Sequence, residues 1–151
     1  MASDTHIAIV RRWVEQIWNA GNMDLLSHFH PPSIINHGSH STIEETKQWH
    51  LSNRAAFPDI HYTIDDIFAS ADQVALRWTA TATHRGTLWN IIPATGKTIT
   101  WNGMHLLRLA HQQIVEVWAV QNTIAQLQQM SVSLQPAAGS VERNNLEKDI
   151  T

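Results

Sequence analysis

The chain has 151 residues, a formal net charge of −3 and no cysteine. This length fits a single domain with one hydrophobic core. The missing cysteine excludes disulfides and thiolate metal sites, and the lack of a Lys/Arg run argues against a nucleic-acid or anionic-membrane partner.

The N-terminal segment predicts an amphipathic helix, because its apolar residues recur at helical spacing. They are Ile7, Val10, Val14 and Ile17. Gly21 suits the position just after the end of this helix. A second, short helix follows over the apolar residues near 25–29 and ends at Pro31-Pro32.

A short extended stretch, 33–38, separates the second helix from the third. Ser41 and Glu44 have the spacing of a capping box, in which a side chain at each position bonds the backbone of the other. The sequence therefore predicts a third helix that starts there, runs to about Phe57 and ends before Pro58.

After Pro58 the apolar period changes from that of a helix to that of a strand. The alternation predicts strands over 61–68, 74–81, 97–109 and 114–120, followed by a short helix over 123–130. From residue 131 onward large apolar residues are few and no period is clear, so we expect a domain over 1–130 and a flexible tail over 131–151.

Helices that precede a run of long strands are typical of the α+β class. We expect a cone-shaped, curved antiparallel sheet packed against three N-terminal helices, with the short C-terminal helix closing the domain. Such a sheet encloses a conical cavity.

Seven ordered motifs resemble those of one known family. They are Asn36-His37, Phe57 to His61, Trp78 to Gly86, Ile92 to Lys97, Gly103 to Leu109, Ile114 to Trp118, and Leu127 to Met130. Together they resemble the SnoaL-like polyketide cyclase (ester cyclase) family over about residues 5 to 130. The resemblance implies the cone fold shared with ketosteroid isomerase and nuclear transport factor 2, and a homodimer formed through the sheet.

The resemblance also implies cofactor-free closure of a polyketide ring by an intramolecular aldol step, which needs a base and hydrogen-bond donors near the forming enolate. The family pattern W-D-x-x-D places acids at the end of the last strand. Ala119 and Asn122 occupy those positions here. An asparagine side chain can donate and accept hydrogen bonds but cannot act as a base.

The last hairpin can be paired by assuming a two-residue loop at His111-Gln112, which sets His105 opposite Trp118. Opposed residues share a face of the sheet. We expect the cavity face to carry Trp101, Gly103, His105, Leu107, Glu116, Trp118 and Val120, with Asn122 just beyond. The opposite face carries Met104, Leu106, Arg108, Val115, Val117 and Ala119.

Two residues of this hairpin are candidate catalytic residues. An apolar cavity lowers the pKa of a histidine, so His105 would be a neutral imidazole able to accept a proton. The alternative is a structural histidine. Asn122 would orient a substrate carbonyl, or it would cap the final helix.

Aromatic residues are candidates for the cavity wall. Trp18, Trp78, Trp101 and Trp118 would contact substrate, although packing in the core is the alternative for each. His37 would line the mouth of the cavity or lie in an exposed loop.

The histidine pairs His28-x-His30 and His37-x-x-His40 raise the question of a metal site. Their spacings differ from those usual for zinc, and we expect neither a metal nor a cofactor.

Three functions fit these observations. The first is an enzyme that performs acid–base chemistry, an intramolecular aldol cyclisation or an isomerisation, on a small apolar carbonyl compound. The second is a non-catalytic protein that binds a small apolar or aromatic molecule, and the third is a dimerising accessory domain. In each case we expect a cytoplasmic homodimer that binds neither nucleic acid nor membrane.

Overall fold

The computed structural model describes residues 2–133. Its helices are α1 (Ala2–Trp13), α2 (Leu26–Phe29), α3 (Ile43–Ala56) and α4 (Thr123–Gln129). A π-helical turn, Val14–Asn19, extends α1, and a 3₁₀ turn, Met23–Leu25, precedes α2. The strands are β1 (Ser33–Asn36), β2 (Ser39–Thr42), β3 (His61–Ser70), β4 (Gln73–Thr83), β5 (Thr98–Ala110) and β6 (Gln113–Gln121).

The strands form one curved sheet in the order β2-β1-β6-β5-β4-β3. Neighbours pair antiparallel except β1 and β6, which are parallel. The predicted α+β fold with a curved sheet is therefore confirmed, but the sheet is mixed rather than wholly antiparallel. The sequence predicts one extended stretch over 33–38, whereas the structure has the two-strand hairpin β1–β2.

The core lies between the helices and one face of the sheet, where side chains alternate as expected for a half-buried strand. In β4 every second residue is buried: Val74, Leu76, Trp78, Ala80 and Ala82. The apolar stripe of α1 and its π-helical turn packs onto β3 and β4, with Val10, Val14 and Ile17 fully or almost fully buried. The apolar residues whose spacing predicted the helix are thus the residues that pack against the sheet.

The capping box of α3 is displaced by one residue from its predicted position. The hydroxyl of Thr42, not of Ser41, accepts the backbone N–H of Glu45 at 3.2 Å, and the Glu45 carboxylate accepts the backbone N–H of Thr42 at 2.7 Å. Ser41 and Thr42 both belong to β2, so the strand continues one residue further before the helix begins. Both residue pairs have the same spacing, and the local sequence does not distinguish them.

The β5–β6 hairpin contains a β-bulge that corrects the predicted register. Its loop is His111-Gln112 as predicted, and Leu109 pairs with Ile114. Arg108 then pairs with Glu116, so Val115 is an extra residue in β6.

Because side chains alternate between the two faces of a sheet, the extra residue places every later β6 side chain on the face opposite to the predicted one. His105 lies opposite Ala119 rather than Trp118, and Gly103 lies opposite Gln121 rather than Val120. Glu116, Trp118 and Val120 share the outer face with Met104, Leu106 and Arg108, whereas Val117, Ala119 and Gln121 share the inner face with His105.

Most of the predicted C-terminal tail lies outside the described residues. None of the helices that the structure describes is long and apolar enough to cross a membrane.

Candidate functional site

Two adjoining cavities lie between the helices and the inner face of the sheet. The larger has a volume of about 490 Å³, and its wall includes Trp13, Trp18, His30, His50, His105 and Ala119. The smaller, of about 170 Å³, is lined by Trp18, Tyr62, Trp78, His105, Ala119 and Gln121 among others. Trp18, His105 and Ala119 belong to both walls, so they lie at the junction. The larger volume is within the range of small-molecule sites.

The π-helical turn after α1 brings two tryptophans together. Trp13 and Trp18 are five residues apart, which in a regular α-helix places them about 140° apart around the axis. Here the backbone N–H of Ala20 bonds the carbonyl of Glu15, five residues back, at 2.9 Å. The wider turn lets the two indoles meet edge to face with ring centroids 4.7 Å apart. Such turns are frequent at functional sites.

His105 is held in one neutral tautomer by Trp78. The Trp78 indole Nε1 donates to the His105 Nδ1 at 2.9 Å. Because an indole N–H can only donate, Nδ1 carries the lone pair and the proton of the neutral ring is on Nε2. Burial, followed by the nearby His37 and His50, lowers the pKa of His105 to about 3. At neutral pH His105 is therefore uncharged and offers an N–H from Nε2.

Gly103 allows Trp78 to approach His105. A Cβ atom at position 103 would lie 2.3 Å from Cζ2 of Trp78 and 2.7 Å from the carbonyl oxygen of Val120. Both distances are far below van der Waals contact, so only glycine fits beneath the indole.

His30 is held in the opposite tautomer. Its Nδ1 lies 3.0 Å from the backbone carbonyl oxygen of Ile114. A carbonyl can only accept, so Nδ1 carries the proton and Nε2 carries the lone pair. The side chain is buried, burial lowers its pKa, and Nε2 has no hydrogen-bond partner.

His50, from α3, is buried like His30 and also lines the larger cavity, whereas His105 is half-buried. Burial, followed by the nearby His30 and Arg54, lowers its pKa to about 3. Three neutral imidazoles therefore line a cavity whose remaining wall combines aromatic and aliphatic residues with the polar residues Asn36, His37, Ser41, Glu45 and Thr46.

Trp13 at the end of α1 and Trp18 in the π-helical turn add further unused donors. The Nε1 atoms of Trp13 and Trp18 are buried and have no hydrogen-bond partner. A buried polar group without a partner costs about 1–3 kcal/mol. A bound molecule with an acceptor oxygen would relieve that cost.

Four predicted site residues reach the cavities. His105 and Trp18 line both, Trp78 lines the smaller one, and His37 lines the larger one. His37 occupies the turn of the β1–β2 hairpin, where it and Gly38 have positive φ angles of 51° and 81°. This two-residue loop places the His37 side chain at the edge of the larger cavity.

The other three lie elsewhere. Trp118 is on the outer face, 45% exposed, because the Val115 bulge reverses its side of the sheet. Its indole donates to Glu116 at 2.9 Å. Trp101 is buried in the core against Phe57, with centroids 5.2 Å apart, and lines neither cavity.

Asn122 is exposed and caps α4. Its Oδ1 accepts the backbone N–H of Ala125 at 3.1 Å, which is the alternative role considered for it in the sequence. Asn122 lines neither cavity.

The site residues predicted from the sequence do not include Trp13 or His50, and His30 enters there only as a possible metal ligand. Trp13 continues the apolar stripe of α1 three residues after Val10, which was a signal in the sequence. For His50 the sequence contains no signal beyond the residue type. Within residues 2–133, no group of three or more histidine, aspartate or glutamate side chains has an arrangement that could hold a metal ion.

Comparison with known proteins shows the family. The family model described as SnoaL-like polyketide cyclase matches residues 8–130. No curated protein matches the chain.

Several solved structures are similar. A protein of Acidithiobacillus ferrooxidans, named as a proposed polyketide cyclase, is 24% identical with a TM-score of 0.75, over 84% of this chain and 94% of that one. IdmH of Streptomyces antibioticus, also a proposed polyketide cyclase, is 23% identical with a TM-score of 0.73, over 84% and 99%. AclR of Streptomyces galilaeus, a proposed hydroxylase, is 27% identical with a TM-score of 0.72, over 83% and 95%.

The names of these similar proteins include two different reactions, so resemblance to them does not define the chemistry of this chain. The sequence match spans both halves of the domain, and the α+β sheet with its inner cavity agrees with it. The chain belongs to the SnoaL-like polyketide cyclase family.

Proposed function

We propose that this protein binds a small apolar carbonyl compound in the larger cavity and promotes proton transfer at the carbon next to the carbonyl. Ring closure by an intramolecular aldol step and isomerisation of an unsaturated ketone both begin in this way. The observation that carries the proposal is the fixed Nε2–H tautomer of His105 at the junction of the two cavities.

His105 acts in this proposal as a hydrogen-bond donor and not as the base expected from the sequence. Its Nδ1 lone pair is engaged by Trp78, and its Nε2 carries the proton. A neutral imidazole N–H can stabilise the negative charge that develops on a carbonyl oxygen as an enolate forms. The unpartnered indoles of Trp13 and Trp18 supply further donors in the same wall.

A non-catalytic binding protein is the second candidate, and Ala119 favours it. This residue lies on the inner face opposite His105 and lines both cavities, at the position where the family pattern has an acid. A methyl group there preserves an apolar ligand site and removes the expected base.

The experiment uses 2-tetralone, an apolar ketone with acidic protons next to its carbonyl. Protein-dependent exchange of these protons in deuterated water is followed by proton NMR, and binding is followed by quenching of tryptophan fluorescence. The wild-type protein is expected to bind the ketone and to accelerate exchange. Binding without any acceleration would support the non-catalytic alternative.

The role of His105 is tested by two amide variants. In His105→Asn the amide oxygen can still accept from Trp78, but the donor toward the cavity is lost. In His105→Gln the amide nitrogen can replace that donor. We expect exchange to fall about 100-fold or more in the first variant, as for loss of an oxyanion donor, and to be partly restored in the second. Equal rates in His105→Asn and wild type would refute the donor role.

The outer face of the sheet supports a homodimer as a further part of the proposal. It exposes large apolar residues on neighbouring strands: Met104, Leu106, Trp118 and Val120. Exposed apolar patches of this kind often mark protein interfaces. Light scattering coupled to size exclusion should give the mass of two chains, and Val120→Lys should shift it toward one. A wild-type monomer at all concentrations would contradict the dimer.

A further inference from the structure

We propose that His30 is the catalytic base of this site and that its Nε2 accepts the proton removed from the substrate carbon. This inference rests on the proposed function. It concerns a residue that lies outside the β5–β6 hairpin, where the family pattern has its acids.

The hydrogen bonds of the two imidazoles separate their roles. The Ile114 carbonyl fixes the proton of His30 on Nδ1 and leaves a lone pair on Nε2, whereas Trp78 fixes the proton of His105 on Nε2. Both rings pack edge-on against Trp13, with centroids 5.6 Å away for His30 and 6.2 Å away for His105. One cavity wall therefore contains an imidazole with a free acceptor and another with a free donor.

The free acceptor of His30 is a buried group with an unmet hydrogen bond. The residue is only 2% exposed, and Nε2 has no partner among the described residues. Such a group is costly to leave unsatisfied, and exceptions of this kind occur at catalytic groups. In the proposed step, the acidic C–H next to the carbonyl of a substrate in the larger cavity, which His30 lines, meets this lone pair.

One carboxylate oxygen in the same wall is engaged, and the acid of the family pattern is absent. Glu45 lines the cavity, but its Oε2 accepts the Thr42 N–H at 2.7 Å and the hydroxyls of Thr42 and Ser41 at 3.2 and 3.3 Å, as part of the capping box of α3. Position 119 holds an alanine. His37 and His50 remain as competing imidazoles, since no side-chain hydrogen bond within residues 2–133 fixes the tautomer of either ring. His50 is the buried one of the two and is therefore included in the test.

The step balances without a co-reactant. The C–H bond next to the substrate carbonyl breaks, and its proton forms the Nε2–H of His30, which becomes an imidazolium. The electron pair of the broken bond forms the enolate C=C, and the carbonyl π pair moves to the oxygen, where the His105 Nε2–H stabilises it. Return of a proton from His30 to carbon restores the neutral imidazole, and in deuterated water this cycle introduces deuterium.

The experiment compares His30→Asn with wild type in the 2-tetralone exchange assay. The amide nitrogen of asparagine can take the place of Nδ1 and donate to the Ile114 carbonyl, so the variant keeps the structural bond and loses Nε2. General-base catalysis contributes about 100- to 10,000-fold, so we expect exchange to fall at least 100-fold. The dissociation constant of the ketone should change by less than about threefold, since the base contributes to the transition state more than to binding.

His111→Asn is the matched control, because it removes an imidazole from the exposed hairpin loop. Its φ of 49° also suits asparagine. It should exchange at the wild-type rate. His50→Asn is measured in parallel, and a loss of exchange in this variant with normal exchange in His30→Asn would assign the base to His50 and overturn the inference.

The outcomes distinguish this inference from the proposed function. Normal exchange in His30→Asn, with wild-type protein active, overturns the role of His30 and leaves the proposed function standing. No protein-dependent exchange in the wild type overturns both. If His30→Asn does not fold, nitrogen NMR of wild-type protein with labelled histidine gives the answer. Nε2 of His30 should be unprotonated in the free protein and gain a proton when the strongly acidic enol 2-acetylcyclohexane-1,3-dione binds, and an unchanged Nε2 would refute the assignment.

Discussion

The indole of Trp78 donates to Nδ1 of His105 at 2.9 Å, and this one hydrogen bond decides what His105 can do. The bond occupies the Nδ1 lone pair that a base would use, and it leaves the N–H of Nε2 as the group that His105 can offer to a ligand. The pKa of His105, lowered to about 3 by burial, adds to the preference for the neutral form. A histidine that the sequence suggests as a base is thereby better suited to act as a donor.

The lowered pKa values of two histidines predict how stability depends on pH. The pKa values of His105 and His50 are about 3 in the folded protein and near the ordinary 6.5 when unfolded. Between these values the unfolded state binds more protons, so the free energy of unfolding should fall as pH decreases from about 6.5 toward 3. His105→Asn should reduce this slope by up to about 1.4 kcal/mol per pH unit. Urea unfolding between pH 7 and pH 4 measures it, and parallel curves for variant and wild type would contradict the buried neutral state.

Gly103 should be intolerant of any side chain. Gly103→Ala places a methyl group 2.3 Å from Cζ2 of Trp78, and overpacking of this kind typically costs about 1–3 kcal/mol. The variant should unfold at lower urea concentration and weaken the bond to His105. Because phenylalanine lacks the outer part of the indole, the cost of Gly103→Ala should be smaller in a Trp78→Phe background. Additive costs would show that the clash is not with Trp78.

The displaced capping box gives a test of the start of α3. Thr42→Ala removes the hydroxyl that accepts the Glu45 N–H and should destabilise the protein by about 1 kcal/mol. Ser41→Ala is the matched control, since Ser41 makes only a 3.3 Å contact with the Glu45 carboxylate, and its effect should stay within about 0.5 kcal/mol. Thermal unfolding of both variants measures the difference. A larger loss of stability in Ser41→Ala than in Thr42→Ala would show that Ser41 is the N-cap, as the sequence predicts.

Tryptophan fluorescence can test the two faces of the hairpin. Trp18 lines both cavities, whereas Trp118 lies on the outer face. Trp18→Phe should reduce the fraction of emission that 2-tetralone quenches. Trp118→Phe removes an emitter away from the ligand and should increase that fraction with no change in affinity. The reverse pattern would support the register without a bulge.

The regular elements were predictable because apolar residues repeat with the helical or strand period. Val10 on α1, and Val74 and Leu76 on β4, follow these periods and are buried. The predictions are wrong where the backbone departs from the regular helical or strand period. Trp13 and Trp18 meet because a π-helical turn replaces a regular one, and Trp118 faces outward because of a bulge. Neither irregularity has a signature in the apolar pattern, and both shape the walls of the cavity.

The sequence predicts only some of the residues that carry the proposed chemistry. His105 was found because it lies on a strand with a recognisable alternation. His30 was not, since its role depends on a bond to the Ile114 carbonyl, 84 positions away in the chain. Burial and tautomer are properties of the folded chain and are not encoded by neighbouring residues.

The bulge at Val115 has a consequence for how such proteins diverge. A single inserted or deleted codon near this hairpin exchanges the residues that face a ligand for those that face outward, without altering any other residue. Relatives that differ by one residue here could therefore have the same amino acid at an aligned position, with its side chain facing the ligand in one protein and facing outward in the other. Column-by-column transfer of catalytic assignments between them requires the strand register to be compared first.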